Sequence, residues 1–139
     1  MHLTNYSVNK TNTDFIRNMD ASNDCFGSKW SLQGLLRYMQ SYKIDTDPIL
    51  RKIEDIVVKT IISVEPLLNN GYNMLINHKQ CCFELLGFDI LIDETYKPWL
   101  LEVNLSPSLN CDSPLDHRIK GTMLAEIFTL IGIISPIFS

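Results

Sequence analysis

The chain has 139 residues, 45% of them hydrophobic, which is enough for one domain with a modest core and too few for two of ordinary size. Its formal net charge of −4, with no basic run, argues against nucleic acid or an anionic membrane as the main partner. The four cysteines, Cys25, Cys81, Cys82 and Cys111, show no CxxC spacing and no secretory signal stands ahead of them, so reduced thiols of a cytosolic protein are expected.

The opening residues, MHLTNYSVNK, are dense in hydrogen-bonding side chains and lack apolar periodicity. That composition suits a strand opening into a functional loop, and it equally suits an ordinary surface turn. Thr11 to Asp24, rich in Asn, Asp and Thr, reads as a surface loop. From Ser28 the pattern changes. Trp30, Leu32, Leu35, Leu36 and Met39 recur at helical spacing, which predicts an amphipathic helix over about 29–42 with Ser28 as N-cap. Lys29 would then sit in the first turn, where a cation opposes the helix dipole. A solvated lysine and a lysine employed to hold an anion both fit. Asp47-Pro48 predicts a second helix start. Ile49, Ile53, Ile56, Val57, Thr60, Ile61 and Val64 carry that helix to about Leu67 or Leu68, where Asn69-Asn70-Gly71 is expected to stop it. Tyr72 to Lys79 reads as a strand and turn.

The stretch from Cys81 to Leu109 carries the chemistry. Two apolar runs, Cys82 to Ile92 and Trp99 to Val103, flank the polar turn Asp93 to Pro98, the pattern of an antiparallel hairpin. If Asp93 faces Pro98 across a loop of about four residues, Asp89 falls opposite Glu102. Alternation then puts Asn104 on the face of Glu102. Two facing carboxylates repel, and neither has a cation beside it in sequence, so something positive is expected between them. Two carboxylates and a carboxamide oxygen suit a hard divalent cation such as magnesium, which takes few protein carboxylates and fills its shell with water and phosphate oxygens. Exposed strand edges account for the same pattern without a site. Apolar residues on both faces of the first strand predict that it is covered on both sides. Gly87, two residues before Asp89, is expected to leave room for a ligand or backbone beside the carboxylate. Ser113-Pro114 starts a final helix, about Leu115 to Ile134, with Lys120 the single cation of its middle section. Leu124 to Phe138 is too short for a membrane span of roughly 20 residues and predicts a buried helix.

HLTNYSVNK at 2 to 10, FELLGFDILID at 83 to 93 and PWLLEVNLSPSL at 98 to 109 resemble the C-terminal part of the tubulin-tyrosine-ligase-like enzymes, nearest to the tubulin polyglutamylase branch. The resemblance extends through GSKWSL at 27 to 32, VVKTIIS at 57 to 63 and SPLDHRIKG at 113 to 121. It implies an α+β fold, the C-terminal part of an ATP-grasp domain, with an antiparallel sheet packed against about three helices. It implies that Asp89, Glu102 and Asn104 are ligands of Mg2+, with Glu102 also catalytic, and that Thr4 and Asn5 contact ATP. Tyr6, Ser7, Lys29 and Lys120 would hold free glutamate, two lysines complementing a dicarboxylate. Leu105, directly after Asn104, would face the acceptor protein, and an apolar residue there resembles members that start a branch on a glutamate side chain.

The reaction implied is ATP-dependent ligation of glutamate to glutamate side chains of tubulin's acidic C-terminal tails through an acylphosphate. The expected setting is cytoplasmic, at the cytoskeleton: microtubules, cilium or basal body. A monomer is expected, without nucleic acid or membrane insertion. Residues 1–139 are expected to be a partial catalytic domain whose upstream half, with the lysines that grip the nucleotide, is absent. A truncated folding or tubulin-contacting module without catalysis is the alternative.

Overall fold

The computed structural model describes residues 11–20, 22–75 and 82–132. These residues form an α+β arrangement of three helices, α1 (Leu32–Ser41), α2 (Asp47–Leu75) and α3 (Pro114–Leu130), and one antiparallel pair, β1 (Leu86–Ile92) and β2 (Pro98–Leu105). The chain divides into two compact units, one of residues 1–43 with 109–139 and the other of residues 44–108.

In the first unit, the loop before α1 is longer than the periodicity predicts. Ser31, not Ser28, caps the helix, its hydroxyl accepting from the Gly34 amide at 2.9 Å. Ser28 is otherwise engaged: its Oγ accepts from the Ile16 amide at 3.1 Å and its own amide donates to the Ile16 carbonyl at 2.9 Å. Trp30 Nε1 donates to the Gly27 carbonyl at 2.9 Å, and its ring meets Tyr38 edge-on at 5.1 Å. Lys29 therefore precedes the helix instead of opening it. The predicted surface loop, Thr11 to Asp24, is built from side-chain-to-backbone turns at Asn12, Asn18, Asp20 and Asn23. Asn18 and Asp24 within it are nevertheless buried. Among the described residues of this unit, Met39 of α1 and Leu115 of α3 are the buried apolar ones. Helix α3 starts where predicted, at the Ser113 cap with Pro114 following. Its later described turns are mainly exposed, Phe128 and Leu130 included, where a buried helix is predicted.

In the second unit, α2 overruns its predicted stop by about two turns. Asp47 is already helical, the first helical bond running from the Leu50 amide to the Thr46 carbonyl at 3.1 Å, so Thr46 holds the capping position. The helix continues through Pro66, Asn69, Asn70 and Gly71. Asn-Gly ends a helix only where the chain turns left-handed, and Gly71 stays right-handed here. An i,i+4 hydrogen bond from Asn69 to Glu65 spans this stretch. Residues 72–75, predicted to be strand, are its last turn. Ile49 is buried near the start, while Ile62, Leu67, Leu68 and Met74 are exposed.

The hairpin reaches the expected pairing by an unexpected route. Ile92, not Asp93, faces Pro98, so the loop has one residue more than expected; Leu91 pairs with Trp99 and Ile90 with Leu100. The register then shifts, Leu101 remaining without an opposite partner, and Asp89 faces Glu102. The bulge supplies the residue that the longer loop would otherwise have cost the register. The loop itself is organised by Asp93, whose carboxylate accepts from the Thr95 amide and hydroxyl, the Lys97 amide at 3.0 Å and Trp99 Nε1 at 2.8 Å. These donors, Trp99 foremost, hold the Asp93 carboxyl well below the usual carboxylate range. Lys97 lies over the Trp99 ring at 3.7 Å from its centroid. Phe88, Ile90, Ile92 and Val103 are half-buried and Pro98 is buried, on the opposite face from Asp89, and α2 packs against β2. The Asp89 face, predicted to be covered, is open among the described residues: Leu91 and Trp99 are 42% and 47% exposed. No described helix is long and apolar enough to cross a membrane.

Candidate functional site

Asp89, Glu102 and Asn104 meet on the open face of the hairpin. Asp89 and Glu102 are cross-strand partners, and Asn104 faces Gly87 two pairs further along, the next pair on the same face. The Asn104 carboxamide sits between the acids, its Nδ2 donating to Glu102 Oε1 at 3.1 Å and to Asp89 Oδ2 at 3.3 Å. A partial positive charge thus occupies the point where the sequence calls for a cation. Partial desolvation and the neighbouring Glu102 carboxylate raise the pKa of Asp89, the Asn104 donor offsetting part of that rise.

Gly87 does not leave an open space. A Cβ there would meet Pro107 at 2.9 Å, because Ser106, at φ +53°, reverses the chain and lays Pro107 against β1. The glycine thereby fixes the loop that follows the site, including Leu105, which is 75% exposed at the end of β2. Among the described residues no three His, Cys, Asp or Glu side chains cluster; the hairpin set has two carboxylates, its third oxygen coming from an amide.

The remaining predicted positions belong to the first unit or lie outside the described residues. Thr4, Asn5, Tyr6 and Ser7 are among the latter, as is Cys81. Lys29 pairs with Asp116 Oδ1 at 2.7 Å, and Lys120 donates to the Asn110 carbonyl just ahead of α3.

Asp116 is a residue that sequence reasoning passed over. It is buried at the third position of α3 and takes donors from three directions: Lys29, the Ser113 hydroxyl at 3.0 Å and the Asp112 amide at 3.2 Å. Its own amide returns to Ser113 Oγ at 3.2 Å, a reciprocal cap that the spacing Ser-Pro-Leu-Asp signals. Burial pushes its carboxyl up, but Lys29, Ser113 and Asp112 outweigh that and the net shift is downward. Asp24 was passed over too. It accepts from Arg37 at 2.8 Å and from Arg118, and its carbonyl takes the Ser31 amide at 3.1 Å. The Arg37 hydrogen bond is the main cause of its lowered pKa.

Both depressed carboxyls carry the same sign. Their stabilisation is fully present above the ordinary aspartate value of about 4 and is lost as pH falls through the lowered folded values. In a circular-dichroism acid titration, the helical signal should hold at pH 4 and fall below it. The Asp24→Asn, Asp116→Asn double variant should have lost part of its stability at pH 7 and change less between pH 5 and 3. Equal acid sensitivity in both proteins would count against this pair.

The second unit thus presents an exposed hairpin with an oxygen-rich side-chain triad, and the first unit carries two lysines that bond at the start of α3. It belongs to the tubulin-tyrosine ligase family, whose model matches residues 1–138. It is 48% identical over 134 residues to human tubulin polyglutamylase TTLL5, covering 96% of this chain and 10% of that protein. It is 50% identical over 136 residues to mouse tubulin monoglutamylase TTLL4, covering 98% of this chain and 11% of that protein. Zebrafish tubulin polyglutamylase ttll6 is 43% identical over 136 residues, 96% of this chain and 17% of that protein. The chain spans about a tenth of the length of the first of these curated relatives.

Proposed function

We propose that this chain is the metal-bearing part of an ATP-dependent acid–amino-acid ligase of ATP-grasp fold, and that the intact protein adds glutamate to glutamate side chains of tubulin tails. The observation that carries the reading is the convergence of Asp89, Glu102 and Asn104 on one strand face. The donor set fits magnesium: two carboxylates and one carboxamide, all hard oxygens, with an open side left for water and phosphate oxygens. The Asn104 amide, which bridges the acids through nitrogen, presents its oxygen instead after a half-turn about its last torsion. When bound, magnesium would neutralise charge on the nucleotide phosphates.

The chain's own residues bind and orient. Asp89 and Glu102 hold the cation's side of the nucleotide. Lys29 and Lys120 complement the carboxylates of free glutamate, with Thr4 and Asn5 toward ATP and Tyr6 and Ser7 toward the amino acid. Leu105 stands where the acceptor peptide would approach, next to Asn104. In balanced form, the terminal phosphoryl of ATP passes to the acceptor carboxylate and ADP leaves. The glutamate amine then attacks that carbonyl, the C–N bond of the amide forms as the C–O bond to phosphate breaks, and the amine's proton leaves to solvent or phosphate. Positioning and charge neutralisation account for the protein's share of this work. On this reading the protein acts at microtubules, with cilium or basal body as the setting.

The test is a mass spectrum of tubulin tails after incubation with the intact protein, ATP, magnesium and glutamate. Added glutamates that begin on previously unmodified side chains are expected. Lengthening of existing chains alone would count against the role given to Leu105. Tubulin binding without any added glutamate would favour a non-catalytic module of the same family.

A further inference from the structure

Gly87 and Asn104 are cross-strand partners, on the same face as Asp89 and Glu102. A carboxamide at 104 therefore has three places to lean: along its own strand toward Glu102, diagonally toward Asp89, or straight across toward 87. Glycine leaves the third place without a side chain, yet another residue fills it. The point where a Cβ at 87 would stand is 2.9 Å from Pro107 Cβ, 3.4 Å from Pro107 Cγ and 3.7 Å from Asn104 Cβ. Gly87 itself has no positive φ, so the position calls for glycine through space and not through backbone conformation. The proline is brought there at a cost. Ser106, at φ +53°, holds a left-handed conformation that disfavours any residue with a Cβ, and the proline after it narrows the choice further. Such an outlier persists where neighbouring contacts determine it, and the seating of the half-buried Pro107 ring on Gly87 supplies one.

We propose that Pro107 is a positioning residue: it fills the place above Gly87 and so confines the Asn104 carboxamide to the side of the two acids, where it bridges them at 3.1 and 3.3 Å. This rests on the reading that Asp89, Glu102 and Asn104 hold a divalent cation. A carboxamide already aimed at the acids keeps its place whether nitrogen or oxygen points inward, so turning it toward a cation needs no change in its first torsion. Asn104 is thereby ordered before the cation arrives, and that entropic cost is removed from the binding step.

The experiment measures binding of Mn2+ alone, without nucleotide, to the intact protein by electron paramagnetic resonance; manganese takes the same oxygen donors as magnesium. Pro107→Gly removes both ring atoms that face position 87 and should weaken the site about tenfold, in line with releasing one side chain. Gly87→Ala added to Pro107→Gly puts a methyl in the vacated place, its nearest described neighbour besides residue 107 being Asn104 Cβ at 3.7 Å, an ordinary contact. That double variant should return to within about twofold of the parent. Both proteins carry the same loosened backbone at 107, so the difference between them reports the filled space. In an Asn104→Ala background, Pro107→Gly should have no further effect, since it acts through that carboxamide. Undiminished affinity in Pro107→Gly, equal loss in the single and double variants, or a loss that persists without Asn104 each overturns the proposal. Failure of the underlying reading looks different: Glu102→Gln and Asn104→Ala would then leave Mn2+ binding unchanged.

Discussion

Glu102→Gln in the intact protein is expected to abolish glutamate transfer to tubulin without unfolding the chain. The two halves of that outcome have separate causes. Glu102 and Asp89 are exposed cross-strand neighbours bridged by the Asn104 amide, so removing one charge relieves a repulsion. Such pairs contribute a few tenths of a kcal/mol in exposed sites, and the variant should be as stable as its parent or slightly more so. Activity behaves oppositely. On the proposed metal assignment, the variant leaves one acid and one amide as donors, and a divalent cation would lose the charge that holds it against water. A drop of at least about a thousandfold in ligation is expected, the scale of losing a metal's charge stabilisation. A second readout needs no substrate. Magnesium alone, titrated into the isotopically labelled chain, should shift the amide resonances of residues 87 to 89 and 102 to 104, and Glu102→Gln should lose those shifts. Retained ligation by the variant would sink the metal assignment.

Gly34→Ala and Gly71→Ala should change stability in opposite directions. Both glycines lie inside helices, α1 and α2, and alanine is intrinsically better there by about 1 kcal/mol. What surrounds them decides the sign. At Gly71 an added Cβ meets nothing within 4 Å, so the intrinsic gain is realised and α2 strengthens. At Gly34 the added carbon would lie 2.8 Å from the Asp24 carbonyl oxygen and 2.8 Å from Cys25 Sγ. The first of these is backbone, and it belongs to the residue that receives Arg37 and Arg118. Overpacking of this kind costs typically about 1–3 kcal/mol, which offsets the intrinsic gain and leaves Gly34→Ala destabilised by up to about 2 kcal/mol. Chemical denaturation midpoints of the two variants against the parent check both signs at once. A stabilised Gly34→Ala would mean that the loop at Asp24 yields readily.

The elements legible in the sequence were those written in short-range terms. Ser113-Pro114 states a helix start locally, and the hairpin's two apolar runs state a turn between them. Boundaries were missed where a residue answers to something distant. Ser28 looks like a cap by position, but Ile16, twelve residues earlier, already occupies it, and the true cap is three residues on. Asn69-Asn70-Gly71 looks like a stop because those residues are weak helix formers, yet weak propensity ends a helix only when the backbone also reverses. The candidate site shows both cases together. The opposition of Asp89 and Glu102 was readable, but the loop of one extra residue and the compensating bulge at Leu101 were not, since equal errors at two places leave the final register unchanged. Asp24 and Asp116 were invisible as organisers because their partners Arg118 and Lys29 are 94 and 87 residues away along the chain.

Each compact unit contains one of the protein's two tryptophans: Trp30 against Tyr38 in the first, Trp99 bonded to Asp93 in the second. The molecule thereby carries its own pair of fluorescent reporters. With Trp99→Phe the remaining emission follows the loop before α1, and with Trp30→Phe it follows the hairpin. Denaturation curves of the two single-tryptophan proteins superimpose if the units melt as one cooperative body and separate if each has its own transition.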